Sequence, residues 1–176
     1  MVSLISSAKG VWDLVQVGVC SVVVQGFPVA EPVVEPVVEE EVVESMTVRT
    51  TAYTHTEADH LKYGKSNAIG TDLKYGSDVR SAAADWSRFP VGTKFKMEGD
   101  PVTYEIDDYG GALVGKDVID IYKPTMSAMR AWGAKPMEIE VIEWGCFKES
   151  LKILAPRAKY AEHVARMVAV LRARLH

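Results

Sequence analysis

The sequence predicts a mainly β protein with one small barrel or sandwich, and two observations support this prediction. Five short runs are apolar or alternate apolar with polar residues, and glycine or proline separates them; the runs are 47–53, 91–97, 102–106, 118–122 and 137–144. Short strands at this spacing are typical of all-β domains. The chain of 176 residues, 48% of them hydrophobic, is also long enough for one such domain with a tail at each end.

The composition argues against two classes of protein. The formal net charge of −4 offers no basic surface of the kind that neutralises phosphates, so we predict no nucleic-acid partner. The two cysteines, Cys20 and Cys146, are too few for a disulfide framework.

The first 26 residues form a candidate signal or membrane anchor. The run 14–24 is largely apolar, but it has about half of the ~20 residues that a membrane-spanning helix needs. Lys9 resembles the charged flank of a signal peptide, whereas Val19 precedes Cys20 where a lipoprotein signal has a small residue. A short amphipathic helix, a disordered leader and a misplaced start codon are the alternatives.

Residues 27–45 repeat proline, paired valines and glutamate, and we interpret them as a linker. Charge repulsion and proline hold such a segment extended. Glutamate and proline also argue against a central strand here.

Two stretches within the predicted β domain differ from strands. Residues 54–79 are polar and rich in Gly and Tyr, and loops of this length are usually functional. His55 and His60 lie in it with acids between them, but we favour a solvated loop bordering a cleft over a metal site. Residues 127–132 predict a helical turn that ends at Gly133.

An amphipathic helix is predicted from Arg157 onward. Apolar residues recur there at helical spacing: Tyr160, Val164, Met167, Val168, Leu171 and Leu175. We expect this helix to cover one face of the barrel or to pair with another chain, with His163 on the surface rather than in a ligand set.

Acidic residues occupy unusual places in three segments. Asp108 ends a strand and precedes the turn glycines Gly110 and Gly111, and Asp120 lies at the centre of the apolar run 118–122. Because side chains alternate along a strand, Asp120 shares a face with Val118 and Tyr122. Burial against an aromatic ring would raise the pKa of its carboxyl.

The third acid is Asp85, which follows the small residues 81–84. Small side chains let another segment approach closely, so we expect Asp85 at a chain crossing. Spacing alone does not make these three acids a catalytic cluster, since the chain has 24 Asp and Glu residues and most must be solvated.

An ordered set of segments resembles the 3D domain, a family named for three aspartates. The set spans roughly 46–144 and comprises Thr-Ala-Tyr-Thr at 51–54, Ala-Ala-Ala-Asp at 82–85, Pro-Val-Gly-Thr at 90–93, Asp-Tyr-Gly-Gly at 108–111, Gly115 and Ile-Asp-Ile-Tyr at 119–122. The 3D domain is related to the membrane-bound lytic transglycosylase A barrel and to stationary-phase survival muralytic proteins. Tyr109 departs from the pattern, where the family usually has threonine.

The resemblance implies a six-stranded double-psi β-barrel that cleaves the bond between N-acetylmuramic acid and N-acetylglucosamine in peptidoglycan. It implies Asp120 as the general acid and then base, Asp108 as the neighbour that tunes and orients it, and Asp85 as the third member. The division of the chain is then a leader (1–26), a linker (27–45), the barrel (46–146) and a C-terminal helical extension (147–176).

The proposed chemistry needs no metal and no cofactor. A protonated carboxyl donates to the leaving oxygen, and a neighbouring carboxylate favours the protonated form because it disfavours a second charge. Tyr53 and Tyr109 are the predicted stacking residues for sugar rings, and Gly110 and Gly111 complete the predicted substrate-binding set. The acids around these glycines would repel a phosphate.

Two further functions remain open from the sequence. The alternatives are a non-catalytic polysaccharide-binding module, as in expansin-like proteins, and a glycoside hydrolase that uses the same aspartates. For all three, the expected partner is the peptidoglycan glycan strand and the expected location is the cell envelope.

Overall fold

The computed structural model describes residues 44–58 and 61–176. The leader with Cys20, nearly all of the linker, and His60 lie outside the described residues. Within this part of the chain six strands close into a barrel in the order β1-β5-β2-β4-β3-β6. The strands are β1 (Glu44–Tyr53), β2 (Val79–Ala83), β3 (Lys94–Met97), β4 (Asp100–Asp108), β5 (Val118–Tyr122) and β6 (Lys135–Glu143).

The barrel has the predicted double-psi topology. β1 runs parallel to β5 and β2 runs parallel to β4, while the other neighbours are antiparallel. Parallel neighbours need long crossover connections. The long loop from β1 to β2 and the turn from β4 to β5 place Leu73 and Leu113 against the outward-facing residues Tyr53 and Tyr122.

The alternation of β5 decides which side its aspartate faces. Ile119 and Ile121 are fully buried in the main hydrophobic core, together with Ala82 and Ile106 of the neighbouring strands. Asp120 is half-buried and points away from that core, as the sequence predicted. On the same outer side, a second apolar cluster is formed by Tyr53, Leu73, Ala83, Leu113 and Tyr122.

The five predicted runs fall on five of the six strands, with ends that differ by up to three residues. β1 begins at Glu44, two residues inside the predicted linker, and β3 begins at Lys94 rather than at 91. The predicted start of β3 at 91 was wrong because Thr93 donates its backbone N–H to the carbonyl of Pro90, which makes 90–93 a turn. The sixth strand, β2, was not among the five runs recognised from hydrophobic pattern.

Three helices complete the described chain. α1 (Met126–Trp132) is capped by Thr125 and ends at Gly133, which confirms the predicted helical turn. The C-terminal region is two helices rather than one, α2 (Phe147–Leu154) and α3 (Glu162–Leu175). The predicted start at 157 was wrong because Ala161 is extended and caps α3, which leaves Tyr160 exposed.

The C-terminal helices cover one side of the barrel. The side chains of Leu154, Val164, Met167, Val168 and Leu171 are buried in the same core cluster as the inward-facing strand residues. None of the helices in the described ranges is both long and apolar enough to span a membrane.

Candidate active site

Two of the predicted aspartates flank a single small residue on the outer side of the barrel. In the strand register Ala83 of β2 pairs with Asp120 on one side and with Asp108 on the other. Because neighbouring strands lie about 4.8 Å apart, the two aspartate backbones are roughly 10 Å apart. Ala83 between them is buried in the outer apolar cluster, beside Tyr53 and Tyr122.

Asp120 is the more accessible of the two acids. Its Oδ1 accepts a hydrogen bond of 2.7 Å from Thr51 Oγ1, and the two residues are paired in the β1–β5 register. Tyr122, two residues further along β5, lies on the same side, with its ring centroid 5.6 Å from that of Tyr53. Asp120 is therefore held by a hydroxyl beside an aromatic wall and remains half-buried.

Asp108 is buried at the end of β4 and is 6% exposed. Its carboxylate accepts hydrogen bonds from the Tyr53 hydroxyl (3.1 Å) and the Tyr109 backbone N–H (2.9 Å). Burial raises the pKa of this carboxyl to about 6, although the donors oppose the shift. Near neutral pH an appreciable fraction of Asp108 therefore carries a proton.

The phenol of Tyr53 lies within the electrostatic influence of three aspartates. Burial, followed by the negative charges of Asp108, Asp107 and Asp120, raises the pKa of its phenol well above the ordinary value. The phenol consequently stays protonated and acts as a donor to Asp108. The residue predicted to stack on sugar is thus placed as a buried link in the acid cluster, since only 8% of it is exposed.

Asp85 has a different environment from the other two acids. It is 1% exposed, and its oxygens accept hydrogen bonds from the Ser87 backbone N–H (2.8 Å), the Ser87 hydroxyl (2.6 Å) and the Gly115 backbone N–H (2.7 Å). The bond to Gly115 joins segments 30 residues apart. Asp85 thus fastens the turn that follows β2 to the turn that precedes β5.

The turn after Asp108 lies against the C-terminal helix. The Tyr109 ring packs edge-on to Trp86 with centroids 5.1 Å apart, and it lies 6.2 Å from the His163 ring of α3. A side chain on Gly111 would meet that ring at 3.2 Å, so only glycine fits without displacing His163. Gly110 has more space. His163 is therefore a packing residue at the border of the site.

Asp107 is a site residue that the sequence did not single out. It is fully buried; its Oδ2 accepts hydrogen bonds from Ser81 Oγ (2.7 Å) and Asn67 Nδ2 (3.0 Å), and Lys74 Nζ lies 3.8 Å away. Its Oδ1 is buried without a hydrogen-bond partner. Burial raises the pKa of Asp107 to about 6. Two successive acids with raised pKa values therefore line the site.

The long loop after β1 supplies the partners that hold these acids. Asn67 bonds to Asp107, and the Ala68 backbone N–H contributes a hydrogen bond to Asp108. Arg157 of the C-terminal region binds the Ala68 carbonyl at 2.9 Å. His55 Nδ1 lies 2.7 Å from the Tyr122 hydroxyl. The loop therefore lies beside the buried acids Asp107 and Asp108.

Lys74 and Arg80 are each paired with an acid of the barrel. Lys74 forms a 2.6 Å ion pair with Glu105, and Arg80 lies 3.5 Å from Asp100 and bonds to the Tyr104 hydroxyl. Lys65 is exposed. Lys123 is a cation that the sequence did not reveal; it is buried and packs 4.2 Å from the centre of the Trp132 ring.

The chain is similar to two cell-wall proteins of Bacillus subtilis. YabE, which is named for cell wall shaping, is 31% identical over 97 residues, which make up 55% of this chain and 23% of YabE. YocH, named a cell wall-binding protein, is 31% identical over 97 residues, which make up 32% of its length. The match thus spans less than a third of either relative. No protein-family model matches the chain.

Proposed function

We propose that this protein is a peptidoglycan lytic transglycosylase in which Asp120 acts first as general acid and then as general base. The observation that carries the proposal is the outward-facing, half-buried Asp120, which a single strand, β2, separates from a buried acid whose pKa is raised to about 6. Similarity to YabE and YocH supports a role in the cell wall, since both are named for that structure.

In the proposed reaction, the Asp120 carboxyl donates its proton to the glycosidic oxygen that leaves with N-acetylglucosamine, and the bond from that oxygen to C1 of N-acetylmuramic acid breaks. The resulting carboxylate then takes the proton from the C6 hydroxyl of the same muramic acid. The C6 oxygen bonds to C1 and gives a 1,6-anhydro sugar. No water is consumed, so a second carboxylate that activates water is not required.

The other predicted residues take supporting roles in this proposal. Asp108, on the other side of β2, adds a second acid to the site, and burial raises the pKa of its carboxyl to about 6. Tyr53 holds Asp108 in position, and Asp85 fixes the turn that leads into β5. Tyr109, Gly110 and Gly111 form the border against which the sugar would lie.

Incubation with purified peptidoglycan tests the activity. Mass analysis of the soluble products should detect 1,6-anhydromuropeptides, and Asp120→Asn should lower their release by on the order of 100-fold or more because general acid catalysis contributes at least that much. Asp78→Asn, an exposed acid at the start of β2, is the matched control and should keep full activity. Products with reducing ends would show that the enzyme is a hydrolase and not a transglycosylase.

A non-catalytic wall-binding module is the second candidate, favoured by the name of YocH. This function predicts co-sedimentation with sacculi, no soluble product, and binding that survives Asp120→Asn. Either function requires a location in the cell envelope, which we propose on the same grounds. Secretion of the full-length chain, followed by fractionation, tests it.

A further inference from the structure

A groove lies between the barrel and α3. It encloses about 690 Å³, and neither Asp108 nor Asp120 lines it. Its barrel wall includes Met46, Phe89 and Trp144, and its helix wall includes Arg166, Val170 and Arg174. Its volume is within the roughly 300 to 1,000 Å³ of ordinary ligand sites.

The helix wall of this groove is basic although the chain is acidic. Residues 157–176 contain five Lys and Arg residues and one Glu, a formal charge of +4, whereas the chain as a whole carries −4. Arg166 and Arg174 form no ion pair with any residue in 44–58 or 61–176. Arg174 lies with its guanidinium carbon 4.3 Å from the centre of the Phe147 ring.

The acids that line the groove are already engaged. Asp117 forms an ion pair with Arg88, and Asp85 accepts three hydrogen bonds in a buried position. Two arginines therefore remain to attract an anion. A guanidinium presents a planar fork of donors that matches a carboxylate or a phosphate.

The barrel wall supplies an aromatic surface. Trp144 is 42% exposed, although it stacks on Phe89 with centroids 6.2 Å apart and an interplanar angle of 14°. Its indole N–H binds Glu44, which fixes the ring. Val170, 49% exposed, faces the groove from α3. A fixed, exposed aromatic ring next to an aliphatic side chain can bury the apolar face of a sugar ring.

We propose that this groove binds an acidic polysaccharide, with a sugar ring packed on Trp144 and separate carboxylates or phosphates of the polymer bound by Arg166 and by Arg174. A neutral glycan would leave the two arginines without a partner, and a simple anion would leave the aromatic wall unused. The groove is then a second binding site for a cell-wall polymer, independent of the reaction at Asp120.

Calorimetric titration of the full-length chain with three hexamers tests the proposal. The probes are hexagalacturonate, which carries carboxylates, a glycerol phosphate hexamer glycosylated with N-acetylglucosamine, which carries phosphodiesters and sugar rings, and the neutral N-acetylglucosamine hexamer. We expect binding of at least one acidic hexamer, weakened by salt, and at least about tenfold weaker binding of the neutral one, because a charge-assisted hydrogen bond contributes about 1.5 kcal/mol or more. The better acidic hexamer identifies the anionic group.

Paired variants locate the site on the groove. Arg166→Gln combined with Arg174→Gln should weaken binding of the acidic hexamer at least about tenfold, whereas Arg172→Gln, on the same helix but outside the groove, should leave it unchanged. Trp144→Ala should weaken it, whereas Tyr160→Ala, which removes another exposed aromatic ring, should not. Asp120→Asn should bind normally, which separates this site from the proposed active site.

Several outcomes would overturn the proposal. The proposal is wrong if neither acidic hexamer binds, or if the neutral hexamer binds as tightly as the acidic ones. It is also wrong if Arg172→Gln weakens binding of the acidic hexamer as much as the double variant does. Co-sedimentation with phosphatidylglycerol vesicles, without binding of any hexamer, would instead assign the basic helix to a membrane surface.

Discussion

Asp107 and Asp108 are costly residues for this fold, because each is buried as a carboxyl with its pKa raised to about 6. In an unfolded chain the pKa of aspartate is near 3.9, so between about pH 4 and 6 the folded protein binds more protons than the unfolded chain. Stability from these groups is therefore complete below pH ~4 and is lost as the pH rises through about 6. The two adjacent acids therefore lower the stability of the folded protein at neutral pH.

Asp107→Asn tests this balance at one residue. The pKa of Asp107 is about 6 in the folded protein and near 3.9 in the unfolded chain, and this difference corresponds to roughly 3 kcal/mol. Between pH 4.5 and 7 the variant should therefore lose less unfolding free energy than the wild type, by on the order of 2 kcal/mol. Urea unfolding at several pH values measures this difference. Asp72→Asn, an exposed acid in the long loop, should follow the wild-type dependence; an unchanged slope in Asp107→Asn would contradict the assignment.

The role of Asp107 was not predictable from the sequence because a β-bulge changes the side of β4 that its side chain faces. Strict alternation would put Asp107 and Asp108 on opposite sides of β4. The register shifts between Ala82 and Ala83, so that one residue of β4 is left unpaired. Both acids then contact outer-side partners, Ser81 for Asp107 and Tyr53 for Asp108. Bulges often re-aim side chains in this way.

At the scale of elements, Gly145 joins the start of β3 to α2. Its N–H donates to Thr93 Oγ1, the next N–H, of Cys146, donates to the Val91 carbonyl, and Ser150 Oγ accepts from the Val91 N–H. A side chain on Gly145 would lie 2.2 Å from the Val91 carbonyl oxygen and 2.6 Å from that of Pro90. Both are backbone atoms that cannot rotate away.

Gly145→Ala should consequently destabilise the protein by more than about 3 kcal/mol, at the upper end of the usual cost of overpacking. Thermal unfolding followed by circular dichroism measures the effect. Gly76→Ala is the matched control, because a side chain there meets its nearest neighbour at an ordinary 3.5 Å. Equal melting temperatures for the two variants would show that the junction relaxes.

The hydrophobic pattern predicted some elements and not others for a definable reason. β5 was predicted to the residue because Val-Ile-Asp-Ile-Tyr has strong strand preference and an inward apolar face. β2, with the sequence Val-Arg-Ser-Ala-Ala, has almost no such preference. It is a strand because β4 and β5 pair with it on both sides. It also carries Ala83, which pairs with Asp108 on one side and with Asp120 on the other.

At the scale of the whole molecule, the C-terminal region belongs to the domain although the family resemblance ends before it. Leu171 and Met167 are fully buried in the main core, and Arg157 and His163 reach the loop and the turn that border the cleft. The periodicity of α3 predicted its apolar face but could not identify the surface that this face covers, because that depends on contacts distant in sequence.

A shared core predicts that barrel and helices unfold together. Leu171→Ala should lower the unfolding free energy by about 2 to 5 kcal/mol, the usual cost of truncating a buried leucine. The helical signal in far-ultraviolet circular dichroism and the near-ultraviolet signal of buried aromatic residues such as Trp86 should shift to the same lower urea midpoint. Val170→Ala, next to it and half exposed, should shift both by less than about 0.5 kcal/mol. If the helical signal alone moved, α3 would be an appendage, and the groove between it and the barrel would lose one wall while the barrel stayed folded.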